Sequence, residues 1–216
     1  MNDTSALPLW KKNLRILWAA QFIAMIAMSA CLPFLPLFVR DLGVNDLQQA
    51  QQWSGLIAAG PFFLSIISVP FWGSLGDKYG RKLMIVRAIV GLALAMGLMG
   101  LAQNVWQLLF LRMLQGAISG FIASTLAFVS STTPKQHSGY AIAILQSSVS
   151  AGPVVGSFIG GILSDAVGVR AVFIYVAIAC IISSIIVMIY VHEEKSQHTA
   201  NKNASLLNNL RYVGSM

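Results

Sequence analysis

Gly73-Ser-Leu-Gly-Asp77-Lys-Tyr-Gly80-Arg81-Lys82 is a short polar stretch between two long apolar runs. Glycine adopts positive φ or a close backbone approach at little steric cost, so its placement at both ends predicts a tight turn. Asp77 beside Arg81 and Lys82 predicts a charge cluster at a membrane surface. A loop selected only for positive charge would explain the cations but not the Gly, Asp, Gly spacing. We therefore interpret the stretch as a functional motif.

The apolar runs on either side predict an all-α integral membrane protein. Hydrophobic residues make up 56% of the 216 positions and charged residues only 10%, against roughly 25% charged in soluble domains. Runs of about 20 apolar residues match a hydrocarbon core of about 30 Å, and lipid offers no partner to an unpaired backbone group. The predicted spans are 14–39, 52–75, 82–102, 106–130, 139–163 and 169–191.

Basic residues concentrate on one side of these spans, and cytoplasmic loops carry the excess of Lys and Arg. With the N-terminus inside, only Arg40 and Arg170 lie outside, and Arg112 falls within a span. The inside residues are Lys11, Lys12, Arg15, Lys78, Arg81, Lys82, Arg87, Lys135, Lys195, Lys202 and Arg211. We expect a multi-pass protein of the cell (inner) membrane, with cytoplasmic tails at 1–13 and 192–216 around a six-helix bundle at 14–191.

The net charge of +7 does not indicate a nucleic-acid partner. Its basic residues flank apolar runs instead of forming a solvated basic face. Cys31 and Cys180 fall inside predicted spans, where we interpret them as packing residues.

A second motif, Leu111-Arg112-Met113-Leu114-Gln115-Gly116, places an arginine inside an apolar helix. A charged side chain at that depth costs at least roughly 2.5–3.5 kcal/mol, so it should face a cavity or a partner. No carboxylate of this sequence lies at comparable depth. A packing arginine bonded to carbonyls or to Gln21 is the alternative.

The fifth predicted span contains Gly152, Pro153 and Gly156. Proline frees a carbonyl and bends a helix, and small residues four apart let a second helix approach closely. A packing face without further function would explain the glycines equally well.

Together these motifs resemble signatures of the major facilitator superfamily, over essentially the whole chain. The first resembles a cytoplasmic gate latch formed by Asp77 and Arg81, with Gly73, Gly80 and Lys82 completing it. By the same resemblance Arg112, with Gln115 and Gly116, is linked to proton coupling. Gly152, Pro153 and Gly156 are similar to the antiporter signature, although Ser148 and Ser157 replace its usual glycines. Pro33-Phe-Leu-Pro36 and several further stretches are similar to bacterial drug:proton antiporters of the MdtG type.

An internal echo supports the architecture independently. Gly161-Ile-Leu163-Ser-Asp165-Ala-Val-Gly168 repeats the glycine, leucine and aspartate spacing of the stretch from Gly73, 88 positions later and on the opposite membrane face. Two such copies predict a 3+3 inverted repeat, half of a twelve-helix major facilitator fold.

The resemblance implies a secondary active transporter, not an enzyme, that exports small lipophilic or cationic molecules in exchange for protons by alternating access. It needs no cofactor, because the proton gradient supplies the energy, and its partners are membrane lipid, substrate and protons. Candidate cavity residues are Gln21, Met25 and Gln146. A sugar or metabolite permease and a non-transporting membrane scaffold or remnant are the alternatives.

The sequence ends in a polar tail without a seventh apolar run. We expect a truncated N-terminal half, with the missing C-terminal half, or a partner half, carrying the proton-coupling carboxylate.

Overall fold

The computed structural model describes residues 8–193, and its regular structure is helical throughout. The predicted tails lie partly outside these residues, including Lys195, Lys202 and Arg211. The elements are α1 (Leu9–Ala30), α2 (Leu35–Asp41), α3 (Leu47–Tyr79), α4 (Arg81–Gly100), α5 (Val105–Ile118), α6 (Phe121–Thr132), a short 3₁₀ turn (Lys135–His137), α7 (Ser138–Val167) and α8 (Val169–Tyr190).

Six helical segments in the described part are long and apolar enough to cross a membrane: Leu9–Ala30, Leu47–Tyr79, Arg81–Gly100, Val105–Thr132, Lys135–Val167 and Val169–Tyr190. The six predicted spans are therefore confirmed as elements.

Two predicted spans are not single helices, which corrects the sequence-based boundaries. The segment predicted at 14–39 is interrupted after Ala30, and α2 begins only at Leu35. Pro33 lies in this break; proline disfavours helical geometry in the residue before it and supplies no N–H. The fourth segment is interrupted at Ser119 and Gly120, where Gly120 has φ 115°.

The connection between α3 and α4 is also tighter than predicted. Residues Gly73 to Tyr79 remain helical, and Gly80 alone separates the two helices, with φ 102° and ψ 140°. That positive φ requires glycine at position 80. Gly73 is an interior helix residue whose added Cβ would contact nothing within 4 Å among the described residues, so the prediction of a turn at Gly73 is wrong, and its place in the gate motif stays a prediction.

The six membrane-length segments pack as two sets of three, the first containing α1 to α4 and the second containing α5 to α8, and helices of one set contact helices of the other. The most extensive interfaces are α1 with α7, α3 with α5, and α4 with α8. A shift of 88 positions brings α1 onto α5, α2 onto α6, α3 onto α7 and α4 onto α8. The α1–α7 interface thereby maps onto the α5–α3 interface, and α4–α8 maps onto itself. This correspondence is the geometry of an inverted repeat.

The chain alternates between two ends of the bundle, which we name by their glycine corners. The Gly80 end holds the starts of α1, α4 and α7 and the ends of α3, α6 and α8. The Gly168 end holds the ends of α2, α4 and α7 and the starts of α3, α5 and α8. Cations cluster strongly at the Gly80 end: Lys11, Lys12, Arg15, Lys78, Arg81, Lys82, Arg87 and Lys135 lie there, against Arg40 and Arg170 at the Gly168 end.

Large apolar side chains are exposed along α3 and α7, which belong to the two least buried membrane-length segments. Phe62, Ile66 and Ile67 on α3 are each more than 70% exposed, as are Val154 and Phe158 on α7. In water such a surface would drive aggregation. In a bilayer it is solvated by lipid or covered by further protein, which fits a membrane bundle.

Candidate functional site

The charge cluster predicted at the first motif forms at the Gly80 corner. Arg81 donates from Nη2 and Nε to Asp77 Oδ1, at 3.0 and 3.3 Å, across one helical turn of chain. Its Nη1 donates to the carbonyl of Ala127 on α6. Arg81 thus joins the end of α3 to α6, while the Asp77 side chain stays 70% exposed. An exposed carboxylate at the end of a helix is available to a second protein surface.

Glu193 completes this corner and was not identified from the sequence. Its two carboxylate oxygens accept hydrogen bonds from the backbone N–H groups of Arg81 and Lys82, at 2.9 and 3.0 Å. The first N–H groups of a helix lack partners within it, and Gly80 has no side chain to supply one. The carboxylate at the end of α8 therefore caps α4 across more than 100 residues of sequence.

The preceding residue, His192, is also held in place. Asn13 on α1 donates from Nδ2 to the His192 carbonyl at 2.8 Å and accepts from its N–H at 3.2 Å. Two consecutive residues after α8 are therefore each bound at two points, one to α1 and one to α4.

The Gly168 corner reproduces the backbone of the Gly80 corner, but the described residues form no equivalent of these polar contacts there. Gly168 has φ 82° and ψ 156°, and its N–H bonds to the Ser164 carbonyl at 3.0 Å. Gly80 makes the equivalent bond to Gly76 at the same distance. Asp165 occupies the place of Asp77, but Val169 replaces Arg81, and no side chain within residues 8–193 bonds to the first N–H groups of α8.

Arg112 is buried, as its position in the span predicted, with 3% of its surface exposed. Nη1 donates to Gln115 Oε1 at 3.2 Å, which brings these two predicted residues together. Nε and Nη2 have no hydrogen-bond partner among the described residues, and neither has the buried Oε1 of Gln21. Gln21 does not bond Arg112; its amide donates to the Leu145 carbonyl at 3.3 Å.

Gly116, the last residue of the second motif, allows α3 and α5 to touch. A Cβ at this position would overlap the backbone of Pro61. The Gly116 carbonyl accepts from Ser68 at 2.9 Å, and the next carbonyl, of Ala117, accepts from Trp72 at 2.8 Å.

Arg87 caps the same helix break from α4 and is another residue that the sequence did not single out for a specific contact. It donates to the carbonyls of Ile118 and Ser119 at 2.9 and 3.4 Å, and its guanidinium stacks 3.6 Å from the ring centroid of Trp72. A helix that stops inside a membrane exposes carbonyls that need donors. Arg87, Trp72 and Ser68 supply them.

The third motif forms the α1–α7 interface. A Cβ on Gly152 would overlap the side chain of Met25, and one on Gly156 or Gly160 would overlap the backbone of Ile26 or Ala30. The glycines therefore permit close helix approach, as the packing alternative predicted. Pro153, with no N–H, leaves the α7 ladder one hydrogen bond short beside this interface.

Gln21, Met25 and Gln146 remain predicted cavity residues, and they differ in exposure within residues 8–193. Gln21 and Met25 are buried, whereas Gln146 is exposed on α7. An open cavity of about 560 Å³ lies at the Gly80 end between α1 and α7. Its lining combines aromatic and cationic side chains: Trp10, Lys11, Leu14, Arg15, Trp18, His137, Tyr140 and Ile144.

Comparison with a solved structure supports the fold. The chain superposes on the crystal structure of the human organic anion transporter MFSD10 (TETRAN) with a TM-score of 0.76, covering 87% of this chain and 49% of that one. Sequence identity is 15%, so the likeness concerns the fold alone.

Sequence relatives agree with it. Multidrug resistance protein MdtG of Yersinia enterocolitica is 41% identical over 185 residues, which are 86% of this chain and 45% of the relative. The MdtG of Escherichia coli O1:K1 / APEC is 39% identical over 193 residues, or 89% of this chain and 47% of the relative. The chain thus spans somewhat under half the length of these relatives. The family model described as Major Facilitator Superfamily matches residues 17–213, and the chain belongs to that superfamily.

Proposed function

We propose that this chain is the N-terminal six-helix half of a secondary active transporter that exports small lipophilic or cationic molecules in exchange for protons. The relatives that share about 40% of its residues are named as multidrug resistance proteins. Transport in this architecture arises when two bundles rock about a site between them, so that it opens to one side at a time.

The buried guanidinium of Arg112 is the observation that carries the proposal. Two of its nitrogens lack partners within the described chain, and an unpaired buried polar group costs about 1–3 kcal/mol, more when charged. These nitrogens are buried within this half alone. A partner from the second bundle, from substrate or from water would therefore remove that cost only when the helices around Arg112 move apart. We infer that Arg112 responds to the protonation of a carboxylate supplied by the second half.

The orientation proposed from the sequence has the Gly80 end in the cytoplasm of an inner-membrane protein. The cation asymmetry between the two ends supports it, because cytoplasmic loops carry the excess of Lys and Arg. In this orientation the Asp77–Arg81 pair forms the inner gate. The exposed Asp77 carboxylate would then meet the second bundle when the inner side closes.

Efflux of a fluorescent lipophilic cation from preloaded cells tests the proposal. Cells lacking their own exporters would express this chain alone, or with the C-terminal half of an MdtG relative as a separate chain, each with and without a proton uncoupler. We expect efflux only when both halves are present, and its loss with the uncoupler or with Arg112→Gln. Arg40→Gln, which removes an exposed cation at the other end, is the matched control.

Uncoupler-insensitive efflux, or full activity of Arg112→Gln, would contradict proton exchange through Arg112. If the two halves associate with each other but export no compound of a broad panel, the result would favour a membrane scaffold instead.

A further inference from the structure

His192 and Glu193, which follow α8, make contacts at the Gly80 corner that have no counterpart among the described residues of the Gly168 corner. We use the name α8 clasp for two sets of hydrogen bonds: those between Asn13 and His192, and those from the first two N–H groups of α4 to Glu193. The corner at Gly168 has nearly the same φ and ψ, and within residues 8–193 no side chain bonds to the first N–H groups of α8. The same turn therefore forms there without an equivalent of the α8 clasp, so the turn alone does not account for the contacts at Gly80.

The contacts of Glu193 indicate a further role, because they fix the backbone of Arg81. The carboxylate fixes the backbone N–H of Arg81 at 2.9 Å, and the guanidinium of the same residue binds Asp77 on α3 and the Ala127 carbonyl on α6. Arg81 is thus anchored by its backbone to the end of α8 and by its side chain to α3 and α6. The added Cβ of any residue at position 80 would lie 3.1 Å from Glu193 Oε2, so glycine also makes room for the carboxylate.

We propose that Glu193 is a positioning residue for the gate. Glu193 holds the start of α4 in the position from which Arg81 reaches both Asp77 and α6. The bonds between Asn13 and His192 hold the residues after α8, up to Glu193, beside the start of α4. Displacement of these residues from the bundle would withdraw the carboxylate and release Arg81. The proposal rests on the function proposed above only in taking the Asp77–Arg81 pair as the gate.

Distances between spin labels test the positioning role in the chain as it exists. Cys31 and Cys180 are replaced by alanine, and labels are attached at Ser74→Cys on α3 and Ser130→Cys on α6, both exposed positions near the Gly80 end. A second pair, Gln48→Cys and Gln103→Cys, reports the Gly168 end. The protein is reconstituted in lipid nanodiscs.

We expect one narrow distance distribution for each pair in the parent. Arg81→Gln should remove the narrow population at the Gly80 end, and Glu193→Ala should do the same. The double variant should be no broader than Arg81→Gln alone, because Glu193 acts through Arg81. Glu193→Gln, which keeps the size of the side chain but not its charge, should retain an intermediate share of the narrow population.

An unchanged distribution in Glu193→Ala would overturn the proposal, as would broadening in the double variant beyond that of Arg81→Gln. Broadening of the Gln48–Gln103 pair would also overturn it, since it would indicate a general folding role. The measurement involves no transport, so a failure of the efflux experiment leaves this result standing, and the reverse also holds.

Discussion

The two glycine corners of this molecule have almost the same backbone and very different side chains. At Gly80 an aspartate, an arginine and a distant glutamate form a connected charge cluster. At Gly168 the aspartate remains, but valine replaces the arginine, and no side chain in the described part of the chain caps the following helix. The fold therefore requires the glycine and the close turn, whereas the charges at Gly80 are additional to what the turn needs.

A similar distinction applies to the two helix interfaces that the repeat relates. Each interface joins one unit to the other with close backbone contact at glycine, α1 with α7 and α5 with α3. Only the α3–α5 interface has a buried arginine, Arg112, one turn before its glycine, Gly116. The packing is shared, and the buried charge is not.

The largest expected effect comes from filling the shared contacts. Gly160→Ala and Gly116→Ala each place a Cβ against backbone atoms, of Ala30 and of Pro61. Overpacking of this kind costs typically 1–3 kcal/mol, and we expect the upper part of that range because backbone cannot rotate away. Gly161→Ala is the control, since its Cβ meets only Phe34 at an ordinary 3.6 Å.

Thermal unfolding in detergent measures these changes. Similar losses for Gly160→Ala and Gly116→Ala would show that the two interfaces are equivalent. A loss confined to one variant would break the comparison, and a loss in Gly161→Ala equal to that of Gly160→Ala would refute the packing explanation.

A smaller effect is expected from alanine at the corners. Gly80→Ala and Gly168→Ala force a non-glycine residue into backbone conformations that cost of order 1–3 kcal/mol. Gly80→Ala should be the more damaging variant because its Cβ also approaches the Glu193 carboxylate, at 3.1 Å. Unfolding midpoints of the two variants, measured side by side, would show the order. Equal decreases in the unfolding midpoint would mean that the Glu193 carboxylate moves away from the new Cβ without a measurable loss of stability.

The smallest change in stability, with the sharpest difference in function, should come from neutralising the two aspartates. The Asp77–Arg81 pair is exposed on its carboxylate side, and exposed pairs contribute about 0–1 kcal/mol. Asp77→Asn and Asp165→Asn should therefore both unfold within about 1 kcal/mol of the parent. With the second half present, only Asp77→Asn should reduce efflux; equal efflux from both variants would remove the gate assignment.

Sequence patterns identified the parts of this structure that depend on local chemistry. The apolar runs, the glycine corner at position 80 and the burial of Arg112 each follow from residue type and spacing within a few turns. The repeat was visible as well, because both corners keep glycine and aspartate at the same offsets.

The contacts that sequence reasoning missed join distant residues. Glu193 stands in a polar stretch after the last span, where a solvated carboxylate and a helix cap look the same until the ends of α8 and α4 are brought together. Arg87 was assigned only to the basic face, since nothing local shows that its guanidinium meets the carbonyls after Ala117. The helix breaks at Pro33 and at Gly120 were hidden by continuous apolar composition.

The break between α5 and α6 divides one membrane-length segment into two separate helices. The 12-residue α6 carries the Ala127 contact to Arg81, while α5 carries Arg112. Two non-helical residues separate them, so we expect that α6 can tilt at Arg81 without rotating Arg112. Arg87 and Trp72 bond the carbonyls at this break, and we expect these contacts to set how much of such a tilt reaches α5.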